Sequence, residues 1–186
     1  MIRRFLPIGL ICLLAACGST PDPALYVLQS APGLAVTTRP LGVELRRVTI
    51  AGYLDRPELV RGPRDFRLSV DDGAHWGEPL AAMLDRVITE DLVQRLPHAS
   101  VFSEAGAIST KPDLVLELDI QRLDTDADGA VVLVAQVAIR PENGTAKATT
   151  LRLRQPAAVI NAAGQAAAMS AALGALADEI ATRVAD

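Results

Sequence analysis

The chain has 186 residues with 18 basic against 22 acidic side chains, and half of it is hydrophobic although only 3% is aromatic. The apolar share supports a domain with its own core, while the acidic balance disfavours nucleic acid and anionic head groups as direct partners. Outside the first sixteen residues the aromatics are Tyr26, Tyr53, Phe66, Trp76 and Phe102, too few for platforms that stack bases or sugars, so the core is expected from Ala, Leu and Val in regular elements.

Arg3 and Arg4 lead an apolar run from Phe5 to Ala16 that is interrupted only by Pro7 and Gly9, the charged-then-apolar order of a secretory signal. The run is shorter than the roughly 20 apolar residues that span a bilayer. Leu14, Ala15, Ala16 and Cys17 then resemble a bacterial lipobox, in which Cys17 becomes the acylated first residue; the alternative is an ordinary Ala-x-Ala-like cut nearby. Removing residues 1–16 leaves 170 of the 186 residues and, with Arg3 and Arg4 gone, takes the net charge from −4 to −6. Cys12 leaves with the signal, so no disulfide can form within one mature chain. On this reading attachment to a membrane comes from the lipid on Cys17.

Residues 17–40 are rich in Ser, Thr, Pro, Gly and Ala and read as a lipidated tether, with Tyr26 and Val27 able to dock as an edge strand; residues 41–186 form the domain. Gly42–Ile50 reads as a strand with a parity fault, because Val43 and Leu45 alternate on one phase and Val48 and Ile50 on the other; a bulge near Arg46 and Arg47 reconciles them. Gly52–Pro63 reads as a loop, and Phe66–Val70 as a short strand ended by Asp71, Asp72 and Gly73. Glu78 and Pro79 open a helix whose apolar residues, Leu80 to Leu96, recur at three- and four-residue spacing until Pro97. Asp113–Leu123, Val131–Arg140 and Thr149–Arg154 read as a meander of strands, with Asn143 and Gly144 supplying the positive φ of a tight turn. Met169, Leu173, Leu176, Ile180 and Val184 trace one stripe of a helix from about Ala162 to Ala185. The fold class is therefore α+β, a mainly antiparallel sheet with two helices packed on it.

No arrangement of residues carries catalysis. Asp124, Asp126, Asp128 and Gly129 open like a calcium loop, but the twelfth position is Ala135 where a bidentate Glu is required, so a solvated hairpin turn is the expectation. Asn143-Gly144-Thr145 matches a glycosylation sequon that the turn already explains. His75 and His98 stand beside helix ends with no cysteine to join them, and Ser19 and Ser103 lack the surroundings of a nucleophile. Asp71 and Asp72, next to Gly73, read as a turn. Neither an enzyme, a metal site nor a cofactor is expected.

The stretch Val48-Thr-Ile-Ala-Gly-Tyr-Leu-Asp-Arg-Pro-Glu-Leu-Val60, followed by Trp76-Gly-Glu-Pro-Leu80 at the head of the helix, resembles the PqiC-type auxiliary lipoproteins of ABC-type lipid transport systems. The resemblance extends to Tyr26-Val-Leu28, the strand meander and the last helix, and departs at Arg61–Arg64, where Gly62 and Pro63 stand among basic residues. It implies a lipid-anchored domain of one small sheet and two helices that works with an Mce-domain protein and an inner-membrane ABC or PqiA-like transporter, moving lipid between membranes. Gly18, where a lipoprotein retained in the inner membrane usually has Asp, implies the periplasmic face of the outer membrane. The chain is also open to forming a homo-oligomer.

Tyr53, Leu54, Arg56 and Pro57 combine an aromatic, an aliphatic, an arginine and a rigid proline on a turn, residue types enriched at interface hot spots. They read either as a partner-binding loop or as a core cap, with Asp55 paired to Arg56 or Arg61. The reading is a non-enzymatic accessory of an ABC/Mce-type intermembrane lipid transport system. The alternatives are an anchored chaperone that carries a lipid or acyl chain between sheet and helices, and a lipid-anchored hydrolase.

Overall fold

A computed structural model describes residues 22–107 and 110–185, so Cys17 lies outside the described residues. In chain order the elements are β1 (Ala24–Tyr26), β2 (Leu41–Leu45), β3 (Thr49–Ile50), a 3-10 turn (Gly52–Leu54), β4 (Glu58–Arg64), β5 (Arg67–Trp76), α1 (Leu80–Arg95), β6 (Ala99–Ser103), β7 (Leu114–Thr125), β8 (Val131–Pro141), β9 (Lys147–Gln155) and α2 (Ala162–Ala185). The class is α+β, with both helices packed on mixed sheets. Its longest pairings, β7 with β8 and β8 with β9, are antiparallel; β2 runs parallel to both β6 and β7.

The larger sheet has the order β6-β2-β7-β8-β9, with β3 also beside β7. Its register explains the core. Leu116, Leu118 and Ile120 stand opposite Ile139, Val137 and Ala135, so the aliphatic side chains of both strands share a face. Gln121 has no partner in that register, and the bulge returns Leu123 to the same face, opposite Leu133. The parity fault in residues 42–50 is resolved in the same way: Leu45 pairs with Leu116 and Thr49 with Asp119, four residues on one strand against three on the other. The extra residue falls between Arg46 and Val48, and Val43, Leu45 and Val48 are all buried. The two helices pack against each other, α2 along β8 and β9 and α1 beside β6. Their stripes meet the sheet through Met83, Leu84, Val87, Ile88, Leu173 and Leu176, all fully buried.

A second sheet, of order β1-β5-β4, departs from the sequence expectations. The loop expected over 52–63 holds most of β4, and Asp71, Asp72 and Gly73 do not end the strand expected over Phe66–Val70 but lie within β5, which continues to Trp76. His75 is likewise a strand residue rather than a neighbour of a helix end. β4 escaped detection because a register shift between Glu58 and Leu59 lets both Leu59 and Val60 be buried, which erases alternation. Within this strand only glycine fits at Gly62, because a Cβ there would lie 1.9 Å from the Thr125 carbonyl oxygen of β7. Gln165 of α2 donates from Nε2 to the Val60 carbonyl at 2.7 Å in the interior, tying the two sheets to one helix. Arg64 pairs with Arg67, so Asp65 and Phe66 form a two-residue turn, with φ of 50° and 64°. The turn at Asn143 and Gly144 is wider than expected, since five residues separate β8 from β9 and, among the described residues, the positive-φ glycine is Gly129 instead.

The boundary expected at residue 41 also moves. β1 pairs with β5, and the chain after it is fastened to the helices: Leu28 donates its backbone N–H to Met83 Sδ, Ala31 to Asp91 Oδ1 at 2.8 Å, and Val36 to the Arg95 carbonyl at 2.7 Å. Residues 24–36 are therefore part of the folded body rather than a tether. Asp91 is fully buried, and burial pushes its carboxyl up to about 6, against the lowering effects of the Ala31 N–H and the Arg95 charge. Between its ordinary value near 3.8 and about 6 the folded state retains a proton that the unfolded chain releases, so this group lowers stability as pH rises through that window. Asp91→Asn keeps an acceptor for Ala31 and removes the linkage. In urea unfolding at about pH 4 and about pH 7, wild type should lose stability relative to Asp91→Asn on going to the higher pH; an unchanged difference would show that Asp91 does not hold the proton.

Candidate functional site

The candidate loop follows β3 directly. Ala51 donates its N–H to the Ile120 carbonyl and its own carbonyl accepts the Leu54 N–H, so the 3-10 turn is hung from β7 before it closes. This turn aims Leu54 inward, where it is 1% exposed and presents no surface to a partner. Tyr53 is half-buried and donates its hydroxyl to Asp124 Oδ2 at 2.6 Å; Asp124, itself buried, also accepts from Arg122 Nε at 2.7 Å. Burial first, and then Asp124, pushes the Tyr53 hydroxyl well above the usual phenol range. Tyr53 and Leu54 thus cap the core, which is one of the two readings open from the sequence.

The other half of the loop faces solvent. Asp55, Arg56 and Pro57 are exposed, and the Pro57 carbonyl accepts the Trp76 N–H at 2.7 Å. This hydrogen bond brings the loop against the Trp76-Gly-Glu-Pro-Leu80 stretch, and the two together line an open groove of about 390 Å³ with Arg56, Pro57, Trp76, Glu78 and Pro79 on its walls. Trp76 and Glu78 join the site although the sequence reading assigned them only to the head of a helix. Arg61 pairs with Asp71 at 3.0 Å rather than with Asp55. The groove holds an arginine, a glutamate, a proline and the edge of an indole, which suits recognition of a peptide segment.

The acidic triplet is divided among structural duties. Asp124 receives Tyr53 and Arg122, while Asp126 and Asp128 both pair with Arg154 of β9. Hydrogen bonding with Asp126 and Arg154 holds the Asp128 carboxyl at about 2. Among the described residues no group of three His, Cys, Asp or Glu side chains is arranged to hold a metal ion. Asp85, near the middle of α1, accepts the Ser103 hydroxyl at 2.6 Å and so fixes β6 to the helix.

With this geometry in hand, a family model described as ABC-type transport auxiliary lipoprotein component matches residues 26–181. The chain belongs to that family. The match begins at Tyr26 in β1 and ends within α2, so it takes in the segment after β1 as well as both sheets. The fold is shared with a crystal structure of an uncharacterised protein, at a TM-score of 0.74 and 17% identity over 88% of this chain and 99% of that one. It is also shared with a Xanthomonas campestris protein of the DUF330 family, at a TM-score of 0.67 and 19% identity over 88% and 93% of the two chains. No curated protein matches the chain. The expected resemblance to auxiliary lipoproteins is thereby shown at family level. No helix among the described residues is long and apolar enough to cross a membrane.

The Tyr53 to Asp124 bond joins the 3-10 turn to a buried carboxylate, so Tyr53→Phe should cost about 1–2 kcal/mol, read as a lower melting temperature with an unaltered circular dichroism spectrum. No loss would mean that Arg122 alone satisfies Asp124.

Proposed function

We propose that this auxiliary lipoprotein is held at the periplasmic face of the outer membrane by acylated Cys17 and serves, without catalysis, an ABC/Mce-type system that moves lipid between membranes. The observation that carries the reading is the family match over residues 26–181. Its body starts at Ala24, only seven residues beyond the lipobox cysteine. The partner would be the Mce-domain protein or an inner-membrane ABC or PqiA-like transporter, contacted at the groove where Arg56 and Pro57 meet Trp76 and Glu78. Arg56 supplies a planar donor fork and Pro57 a rigid edge, over a floor that the Trp76 indole, only 6% exposed, holds in place. Contact by several copies of the chain at once belongs to the same proposal.

A carrier that holds an acyl chain between sheet and helices is less well supported, because that space is filled by side chains such as Met83, Leu84, Ile120, Leu133, Leu173 and Leu176, each at most 1% exposed. An acyl chain would have to use an open groove instead, such as the one of about 410 Å³ beside Leu114, Ile139, Pro141 and Val184.

Copurification tests the reading. Arg56→Ala should fold, remain acylated and lose association with the transporter components, a loss bounded by several kcal/mol. Cys17→Ala should lose fatty-acid labelling and leave the membrane fraction, while Leu84→Ala serves as a fold control. Wild-type copurification by Arg56→Ala would move the interface elsewhere, and continued labelling of Cys17→Ala would overturn the anchor.

A further inference from the structure

The turn between β4 and β5 ends in a side chain that nothing covers. Phe66 is fully exposed at 106%, Leu68 behind it is 45% exposed, and Phe66 sits at a φ of 64°, a region bulky L-residues rarely adopt. Two-residue turns with positive φ favour Asn and Gly, so an aromatic here is unfavourable for folding and finds no compensating contact within the described body. Beside the hairpin, across a shallow recess that Arg61 lines, Val159 and Ile160 are 58% and 71% exposed. Leu34, Leu25, Val27 and Val93 are exposed elsewhere, but none of them stands on a strained turn as Phe66 does.

The local charge is opposite to that of the whole chain. Residues 61–70 contain Arg61, Arg64 and Arg67 against the single acid Asp65, in a protein with a net charge of −4. Arg61 is already paired with Asp71, whereas Arg67, next to Phe66, is exposed. An exposed aromatic beside an exposed arginine is a pairing that settles at the boundary of head groups and acyl chains.

Chain direction brings the same end of the molecule to the lipid anchor. β1 runs parallel to β5, with Ala24 opposite Ala74 and Tyr26 opposite Trp76, so the chain enters β1 from the side on which β5 begins, which is the side of the turn. β5 bulges between Asp71 and His75, four residues against one on β4, so the rise from this level to the turn follows β4, where Glu58 to Arg64 is six residues, at most about 20 Å at roughly 3.3 Å per residue. From Ala24 back to Cys17 is seven residues, which reach at most about 25 Å. The reach covers the rise, and a bilayer that holds an acylated Cys17 can lie at the level of the hairpin tip.

We propose that the β4–β5 tip is a second membrane contact, with Phe66 inserted into the head-group boundary of the bilayer that holds the Cys17 lipid and Arg67 on its phosphates. The proposal rests on acylation at Cys17. It gives the domain a fixed orientation on the membrane where the lipid alone would leave it free to turn, and it amends the expectation that attachment comes from the lipid only.

The test uses the full acylated protein in vesicles of phosphatidylethanolamine and phosphatidylglycerol. Acylation of Cys17 leaves no other thiol in the mature chain, so Phe66→Cys and, at the far end, Leu34→Cys each accept one environment-sensitive fluorophore; Leu34 is 87% exposed and precedes Val36, which is tied to the end of α1. Flotation with the vesicles checks the anchor independently. The expected result is a blue shift and quenching by brominated acyl chains at position 66 but not at position 34, with Arg67→Glu reducing both effects. Flotation with a water-like, unquenched signal at position 66 overturns the tip contact and leaves the anchor standing, whereas failure to float overturns the anchor. A signal at position 66 that changes only when transporter components are added also overturns the proposal, in favour of a protein interface. An unchanged circular dichroism spectrum for each variant excludes misfolding as the cause.

Discussion

The arrangement depends on one buried guanidinium. Arg95, in the last turn of α1, is 1% exposed, yet each of its nitrogens has an acceptor: Nε meets Asp178 of α2 at 2.6 Å, Nη1 the carbonyls of Ala31 and Asp91 at 3.1 Å, and Nη2 the carbonyl of Pro32 at 3.4 Å. Removing such a charge from water is costly, and only a full set of partners offsets the cost. Three separate parts of the chain supply them, so the cation fixes the N-terminal segment, α1 and α2 in one geometry. Gly174 is part of the same design. A Cβ at that position of α2 would lie 2.7 Å from the Ala31 Cβ and 3.3 Å from Arg95 Nη2, so the absence of a side chain is what allows the segment to descend onto the helix pair.

This fastening bears on the anchor proposed at Cys17. A lipid on Cys17 followed by a free chain to residue 40 would leave the domain to diffuse over a wide range above the membrane. With residues 24–36 held by α1, α2 and β5, β1 starts seven residues after Cys17 and is entered from the hairpin side. On the proposed acylation of Cys17, the groove at Arg56, Pro57 and Trp76 would be presented in a defined direction. Trp76 links the two regions, since it ends β5, pairs with Tyr26 of β1 and donates its N–H to Pro57 of the loop.

The parts that were legible in the sequence are those where burial repeats. Alternation in residues 114–123 and the helical spacing of Leu80 to Leu96 and of Met169 to Val184 reveal β7, α1 and α2 because each has one wet and one dry face. Even the extra residue near Arg46 is visible, as a change of phase. β6 is hidden because it is short and only Phe102 within it is fully buried, and β4 because its bulge buries two neighbours in succession. The N-terminal segment is hidden for a different reason. Its order comes from backbone groups bonded to Asp91 and Arg95, more than fifty residues away, and no pattern in Ser, Pro and Gly residues announces that. The Tyr53 loop was half legible: its residue types are those of an interface, but the 3-10 turn directs Tyr53 and Leu54 inward and leaves Arg56 and Pro57 outside.

The central claim, that the segment after β1 is structural, is open to hydrogen exchange on the intact chain, because the amides of Ala31 and Val36 are donors to the Asp91 carboxylate and the Arg95 carbonyl. If the buried Arg95 cluster holds this segment, both amides exchange as slowly as the backbone of α1, and Arg95→Ala releases them while the amides of β7 and β8 stay protected. Exchange of Ala31 and Val36 at the rate of an unstructured peptide in the wild-type protein would contradict the account.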